Sequence, residues 1–290
     1  MKKKQKLSAL IIGVLLAAGS TGSFAASEVV RDTLDSKILG KNINFQVYLP
    51  DGYKDASEPY PVIYLLHGAG GDESTWLTKG GIQVTADALM ERKELRSSVI
   101  VMPTEGPASW YTDGNSDKAE TAFVDDLIPY IEGKYKVKKD RPNRSIAGLS
   151  MGGYGALNLS LSHPQLFCAA AVLSPAIYDP FPPETSASRK TPQFTKDGKF
   201  DEQAWTNSLY PARLAAYKEA KTIVPMWIES GDHDKFGIVL AAAKLYWTLH
   251  AYQPADIEYR VINGDHDWLV FRESAVHALP YISRKCADNK

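Results

Sequence analysis

The sequence predicts an α/β protein built on a mostly parallel, doubly wound sheet. Short runs of apolar and β-branched residues alternate along the chain with longer stretches of helical periodicity. Several short runs, such as VIYLLH, VIVMP and AAAVLS, are apolar almost throughout, as expected for strands buried on both faces. Strands that alternate with helices in this way are typical of parallel sheets covered by helices on both sides.

The first residues are predicted to be an export signal. A basic head precedes an apolar core, Leu7–Ala18, and the head contains Lys2, Lys3, Lys4 and Lys6. The apolar core is shorter than the roughly 20 residues of a membrane-spanning helix. We expect cleavage after Ala25, with Ser23 and Ala25 as the small residues at positions −3 and −1. The mature domain would then be residues 26–290, periplasmic or secreted and without stable membrane insertion.

The predicted strands and helices follow in chain order. The leading pair, Val29–Asp35 and Ile43–Leu49, has the pattern of an antiparallel hairpin at one edge of the sheet. The later strands are Pro61–His67, Ser98–Pro103, Arg144–Gly148, Ala169–Leu173, Ile223–Glu229 and Ile257–Ile262. The helices between and after them are Ile82–Leu95, Glu120–Lys134, Gly153–Ser162, Ile238–His250 and Trp268–Ser283.

One segment, Tyr178–Tyr210, breaks the alternation because it is rich in Pro, Ser, Thr and Lys with scattered aromatic residues. Long irregular segments inside compact domains are usually functional or disordered. This one lies between two strands on the side where a substrate would enter. It is therefore either a lid-like insertion over residues 178–210 or a solvated excursion.

Charge and cysteine content narrow the class of protein. The chain has 33 basic and 34 acidic residues, and loss of residues 1–25 would remove four lysines and no acid, for a net charge of −5. This balance argues against a nucleic-acid partner, since such binders usually carry a basic patch.

The two cysteines, Cys168 and Cys286, could pair in an exported protein. Cys168, in LFCAAAVL, also has the context of a small buried apolar residue.

The strongest chemical signal is the stretch RSIAGLSMGGYGAL, in which Gly148–Gly152 has the pattern G-x-S-x-G. An apolar strand precedes it and a helical stretch follows it. A sharp strand-to-helix turn crowds the backbone, and glycines two residues before and after the serine relieve that crowding. The pattern predicts that Ser150 is a nucleophile held above the sheet.

A serine nucleophile needs a base and an acid, which in this arrangement follow it along the chain in the order acid, then histidine. The tetrapeptide Gly-Asp-His-Asp occurs twice, after each of the last two predicted strands. Chain order assigns the acid to the first copy and the base, His266, to the second. Asp234 is favoured as the acid because it lies further along its loop, and Asp232 is the alternative. His233, Asp265 and Asp267 are interpreted as polar loop residues, with Asp267 able to cap the following helix.

The oxyanion hole is expected in the glycine-rich stretch HGAGG at the end of the predicted strand Pro61–His67, together with the backbone N–H of Met151. Ala69 is the first candidate donor in the loop and Gly70 the second. His67 is expected to be structural, since it precedes the serine. No cofactor or metal is expected.

Taken together, these residues resemble the esterase D/feruloyl esterase-like branch of the α/β hydrolases, which includes S-formylglutathione hydrolases and mycolyltransferases. The stretches that resemble it are spread from about residue 40 to residue 283: LLHGAGGDESTW, SWYTDG, DLIPYIEGKY, RPNRSIAGLSMGGYGAL, SGDHDKF and GDHDWLVFRESAVHALPYI. The resemblance implies an α/β-hydrolase fold, the roles given above for Ser150, Asp234 and His266, and a place near the substrate pocket for Trp110 and Tyr111.

The predicted function is a serine carboxylic-ester hydrolase that works through an acyl-enzyme on a small-molecule or carbohydrate-linked ester. An acyltransferase of the mycolyltransferase type is the nearest alternative. A metallophosphoesterase is disfavoured because no Asp-x-His occurs in residues 26–150. A non-catalytic protein is disfavoured because all three members of the triad are present in order. The sequence does not specify the ester or the oligomeric state.

Overall fold

The computed structural model describes residues 27–106 and 108–288, so the predicted signal segment lies outside the described part. Its main sheet has eight strands: β1 (Glu28–Ser36), β2 (Lys41–Leu49), β3 (Val62–Leu66), β4 (Val99–Thr104), β5 (Arg144–Leu149), β6 (Ala170–Leu173), β9 (Met226–Gly231) and β10 (Ile257–Ile262). Two short strands, β7 (Thr195–Lys196) and β8 (Lys199–Phe200), form a separate hairpin.

The strand order in the main sheet is β1-β2-β4-β3-β5-β6-β9-β10. β1 pairs antiparallel with β2, and β2 pairs antiparallel with β4, whereas all the remaining pairs are parallel. The predicted α/β class, the parallel sheet and the antiparallel edge hairpin are confirmed. The predicted strand from Ile223 begins later, at Met226, directly after Pro225, which has no amide hydrogen to donate to a neighbouring strand.

The helices are α1 (Thr75–Thr78), α2 (Ile82–Glu91), α3 (Ala119–Ala122), α4 (Ile128–Lys134), α5 (Met151–Ser162), α6 (Glu202–Ser208), α7 (Tyr210–Ala220), α8 (Ile238–His250) and α9 (Trp268–Asp288). The predicted helix over 120–134 is interrupted by a π-helical turn, Phe123–Leu127, which lies just before Pro129. The predicted helix from Ile82 ends at Glu91, because Lys93 takes a left-handed φ of 61°.

Alternating residues of the central strands supply two apolar cores, one on each face of the sheet. On β3, for example, Tyr64 and Leu66 belong to one core, whereas Ile63 and Leu65 belong to the other. Helix α5 is buried along almost its whole length against the first core, and α9 packs on the second. In the part of the chain that the structure describes, no helix is long and apolar enough to cross a membrane.

The segment Tyr178–Tyr210 is more regular than predicted. It contains the β7–β8 hairpin and α6, whose first turn is capped by the Asp201 side chain. Trp205 on α6 is fully buried and is surrounded by aromatic rings from both the segment and the main fold: Trp110, Tyr154, Tyr178, Phe194 and Phe200. The segment is thus only partly irregular, because this packing joins residues far apart in sequence.

Cys168 and Cys286 form a disulfide that closes a loop of 118 residues and ties the end of α9 to the start of β6. Both cysteines are buried. Cys168 therefore has the apolar environment that its sequence context predicted and is also paired with Cys286. A loop of this length restricts the unfolded chain strongly, and loss of such a bridge typically costs 2–5 kcal/mol.

We expect Cys168→Ala/Cys286→Ala to lower the free energy of unfolding by about 3 kcal/mol, because the unfolded chain gains the freedom that the bridge removes. Urea denaturation with and without a thiol reductant measures the effect. Reductant should destabilise the wild type and leave the double variant unchanged. An equal response of both proteins to reductant would contradict this prediction.

Candidate active site

Ser150 occupies the sharp turn between β5 and α5. Its backbone is in a strained conformation, with φ 55° and ψ −115°, and its N–H donates to the Leu173 carbonyl at 2.9 Å. The neighbouring glycines are required sterically. A Cβ on Gly148 would lie 2.2 Å from the Gly152 carbonyl oxygen, and one on Gly152 would lie 2.5 Å from that of Leu66. The turn between β5 and α5 is therefore sharp and strained, as the glycine pattern predicted.

Asp234 and His266 meet across the ends of β9 and β10. The Asp234 Oδ2 atom lies 2.8 Å from His266 Nδ1, and the Asp234 side chain is fully buried while the imidazole is 10% exposed. The other carboxylate oxygen, Oδ1, accepts from the Phe236 N–H at 2.9 Å. A carboxylate on Nδ1 favours the tautomer with its proton there, which leaves Nε2 free to accept one.

Two aromatic rings hold the imidazole from its sides. The rings of Phe236 and Phe271 each lie 5.0 Å from the His266 ring, both edge to face. Phe236 follows Asp234 on one loop, and Phe271 is on the first turn of α9. These contacts limit rotation of the imidazole and fix the direction of Nε2.

The two Gly-Asp-His-Asp loops are joined by reciprocal bonds. Asp232 of the first loop accepts from the Gly264 N–H at 2.9 Å, and Asp265 of the second accepts from the Lys235 N–H at 2.9 Å. The Gly264 amide lowers the pKa of the Asp232 carboxyl, and the His266 and Lys235 amides lower that of Asp265. Gly231 allows the close approach of the loops, since a Cβ there would lie 2.3 Å from the Gly264 carbonyl oxygen. Asp232 thus bonds backbone and not the imidazole of His266.

Asp267 caps α9, as expected. Its Oδ1 accepts from the Leu269 and Val270 amides at 2.9 and 3.3 Å. His233 is exposed and contacts Asp232. In residues 27–106 and 108–288 no group of three or more His, Cys, Asp or Glu side chains is placed to hold a metal ion.

The loop after β3 lies beside Ser150 at the floor of a cleft. Gly68, Ala69 and Gly70 line this cleft, and Gly70 has a left-handed φ of 75°. Met151 is the first residue of α5, where a backbone N–H has no acceptor within the helix. The loop after β3 and the first residue of α5 are thus both next to Ser150.

His67 lies beneath this loop and outside the cleft. Its Nδ1 is 2.8 Å from the Gly68 carbonyl oxygen, and its Nε2 is 3.0 Å from the Thr104 hydroxyl. Burial lowers the pKa of the imidazole, so it is neutral at physiological pH. Through these contacts His67 joins the loop after β3 to the end of β4, which is the structural role expected from the sequence.

The cleft has a volume of about 460 Å³ and contains both Ser150 and His266 in its lining. Small residues form much of its lining, and five aromatic side chains contribute to the walls: Trp110, Tyr178, Phe236, Trp268 and Phe271. Burial raises the pKa of Tyr178 to about 12, so its phenol stays neutral. Trp110 lies in the wall as the sequence suggested, whereas Tyr111 is fully buried behind it and does not line the cleft.

Other residues of the cleft could not be named individually from the sequence. Thr75 and Lys79 come from the short helix α1 and the residue after it, and residues 185–188 come from the segment between β6 and β9. Trp268 and Phe271 are separated by one helical turn directly after His266, a spacing that could have placed them on the same face of α9.

The chain is similar in sequence and in fold to known esterases. The family model described as "Putative esterase" matches residues 36–282. The structure of a ferulic acid esterase superposes with a TM-score of 0.78 at 31% identity, covering 91% of this chain and 99% of the other.

Curated protein sequences that resemble this chain also include esterases. A xylanase/feruloyl esterase of Xylanibacter ruminicola is 34% identical over 157 residues, which are 51% of this chain and 22% of that protein. An acetyl esterase of Caldicellulosiruptor saccharolyticus is 25% identical over 86% of this chain and 96% of its own length. The chain thus spans less than a quarter of the first relative and nearly all of the second. The family match and the esterase structure together identify the chain as a member of the putative esterase family, with the α/β-hydrolase fold.

Proposed function

We propose that this protein is a serine carboxylic-ester hydrolase that uses Ser150 as nucleophile, His266 as general base and Asp234 as the acid that orients it. The observation that carries the proposal is the 2.8 Å contact between buried Asp234 and His266 in the same cleft as the strained serine turn. The esterases among the similar proteins support the reaction class.

In this mechanism Ser150 Oγ attacks the ester carbonyl carbon while His266 Nε2 takes the hydroxyl proton. The imidazolium that forms is stabilised by the Asp234 carboxylate and returns the proton to the departing alcohol oxygen. The acyl group is then bound to Ser150. Water, deprotonated by His266 Nε2, then attacks the acyl carbon. The bond from this carbon to Ser150 Oγ breaks, the imidazolium returns its proton to Oγ, and the carboxylic acid is released.

Negative charge develops on the carbonyl oxygen as Ser150 attacks. We assign its stabilisation to backbone N–H groups close to Ser150. The Met151 N–H is one donor, and Ala69 is preferred to Gly70 as the other. Because backbone donors are already fixed in place, they need no reorganisation as the charge forms, and one such donor contributes about 3 kcal/mol.

Export is part of the proposal. The basic head and apolar core of residues 1–25 support it, and so does the disulfide, because such bonds persist in oxidising compartments. N-terminal sequencing of the protein from the periplasmic fraction should begin at Ala26. A chain that starts at Met1 in that fraction would contradict the assigned cleavage site.

The aromatic walls favour esters whose acyl or alcohol part carries a ring or an apolar chain. The similar ferulic acid esterase points in the same direction. A hydrolysis screen over aryl acetates, hydroxycinnamate esters, acetylated sugars and lipid esters tests the reaction class and ranks the substrates. Absence of hydrolysis across all four classes by folded protein would overturn the proposal.

We also assign a lid role to residues 178–210, because residues 185–188 form one wall of the cleft. A bulky side chain at Ala187, which is exposed and lines the cleft, should obstruct large substrates. We expect Ala187→Trp to raise KM for a hydroxycinnamate ester about tenfold and to change hydrolysis of p-nitrophenyl acetate by less than about twofold, since tenfold corresponds to 1.4 kcal/mol of lost binding. Steady-state kinetics on both esters measures the difference.

Glu184→Trp is the matched control, because Glu184 is exposed in the same segment and does not line the cleft. It should leave both esters unaffected. If the two variants behaved alike, the segment would have no part in binding the substrate.

Transfer of the acyl group to an alcohol other than water is the alternative reaction at the same site. Product analysis with an added sugar alcohol separates the two reactions. A transferase would yield the new ester as the main product, whereas a hydrolase would yield mainly the free acid.

A further inference from the structure

Strand β10 forms one edge of the main sheet, and among the described residues no other strand pairs with its outer side. Exposed edges of this kind are usually protected by proline, lysine, a bulge or a very short strand. The sequence of β10, IEYRVI, is six residues long and has neither proline nor lysine. β10 carries two charged side chains, Glu258 and Arg260, whereas β1 at the opposite edge carries four: Glu28, Arg31, Asp32 and Asp35.

The backbone groups on the outer side of β10 belong to its odd-numbered residues. The carbonyl oxygens of Asp256 and Ile262 accept from the amides of β9 and of the loop after it. Since alternate residues of a strand bond to opposite neighbours, the N–H and C=O groups of Ile257, Tyr259 and Val261 point away from β9. These are the groups that a further strand would engage.

The side chains of β10 have a pattern that is complementary to itself. If a second copy paired antiparallel about a two-fold axis at Tyr259, then Tyr259 would face Tyr259 and Glu258 would face Arg260 of the other copy. Ile257 would face Val261, apolar against apolar. In this register the outward-pointing backbone groups form the hydrogen-bonded pairs, as an antiparallel ladder requires.

The surface beside this edge is apolar where a second copy would cover it. Val261 is 48% exposed, although it lies on a strand. The Tyr259 ring stacks on Tyr246 of α8 at 5.8 Å, and Tyr246 in turn contacts Trp247, which is 70% exposed. An exposed aromatic surface next to an unpaired strand is typical of a protein interface.

We propose that two copies of this chain associate through antiparallel pairing of their β10 strands, with α8 of each copy flanking the joint. We assign a second copy as the partner because the charges of β10 are self-complementary. In an antiparallel pair about Tyr259, each Glu258 lies opposite an Arg260. Each interface would contain two Glu258–Arg260 contacts related by the two-fold axis. The inference does not depend on the proposed esterase chemistry.

Light scattering on a size-exclusion column tests this on the purified protein. The wild type should have the mass of two chains at micromolar concentration. Val261→Lys places a charge opposite Ile257 and should raise the dissociation constant at least about tenfold, in the way that lysines protect natural edges. A wild type that is monomeric at all concentrations would overturn the proposal.

A charge exchange tests the register. Glu258→Arg and Arg260→Glu should each weaken the dimer, because each places like charges opposite one another. The double variant Glu258→Arg/Arg260→Glu restores opposite charges and should recover the dimer, even if Val261→Lys proves unstable. A double variant no better than the single variants would refute the pairing.

Val84→Lys is the control for removal of an exposed apolar side chain, since Val84 is 74% exposed on α2. It should leave the dimer intact, and a loss equal to that of Val261→Lys would argue against the β10 interface. Thermal unfolding of every variant shows whether it remains folded.

Discussion

Ser150→Ala should reduce kcat for p-nitrophenyl acetate by about 10⁴- to 10⁶-fold, the range found when the nucleophile of a serine hydrolase is removed. Without Oγ no acyl-enzyme forms, so only backbone stabilisation of direct water attack remains. Alanine suits the strained turn as well as serine does, because both have a single Cβ at φ 55°. The fold should therefore be unchanged.

Two measurements make this prediction specific. An organofluorophosphonate probe should add to the wild type at Ser150, detected by mass spectrometry, and should not label Ser150→Ala. Ser160→Ala on the same helix is the matched control, since its hydroxyl bonds the Ala156 carbonyl within α5. It should keep activity within about threefold, as a single internal hydrogen bond contributes only about 1 kcal/mol. Substantial turnover by Ser150→Ala would rule out Ser150 as the nucleophile.

Asp234→Asn should lower kcat/KM by about 10⁴-fold, because an amide at this position donates to His266 Nδ1 and favours the wrong imidazole tautomer. Nε2 would then carry the proton and could not accept that of Ser150. The side chains have nearly the same volume, so the buried site should stay packed. Ester hydrolysis together with thermal unfolding separates loss of the base from loss of the fold.

Asp232→Asn is the matched comparison, because the same change is made two residues earlier in the same loop. Asp232 is exposed and bonds the Gly264 N–H through Oδ1, a bond that an asparagine oxygen can also accept. Activity should stay within about threefold, the scale of one exposed contact. A larger loss in Asp232→Asn than in Asp234→Asn would exchange the two roles.

Elements with strong local signals were predicted well. Helix α8 begins and ends where its periodicity indicated, with Gly237 in a left-handed conformation immediately before it. The position of Ser150 could be predicted because Gly148 and Gly152 are required by steric crowding within the turn itself. The contact of Asp234 with His266 followed from chain order and the parallel sheet, because the carboxyl ends of neighbouring strands share an edge.

Features that depend on distant packing were not predictable in the same way. The segment after Tyr178 folds because Trp205 enters an aromatic cluster, and its indole N–H reaches the Tyr178 and Pro180 carbonyls. Composition alone indicated an irregular segment, either a lid-like insertion or a solvated excursion. Tyr111 was placed near the pocket together with Trp110, but consecutive left-handed residues direct the two rings to different surroundings. Neither feature leaves a periodic pattern in the sequence.

The reciprocal bonds between the two Gly-Asp-His-Asp loops have a consequence for evolution and for engineering. Asp232 holds the loop of the base, and Asp265 holds the loop of the acid, so neither loop can change length or conformation without displacing the other. Residues 231–237 and 263–267 should therefore be inherited, and transplanted, as one unit. Variation in substrate preference is free to accumulate in the wall formed by residues 185–188, which this unit does not constrain.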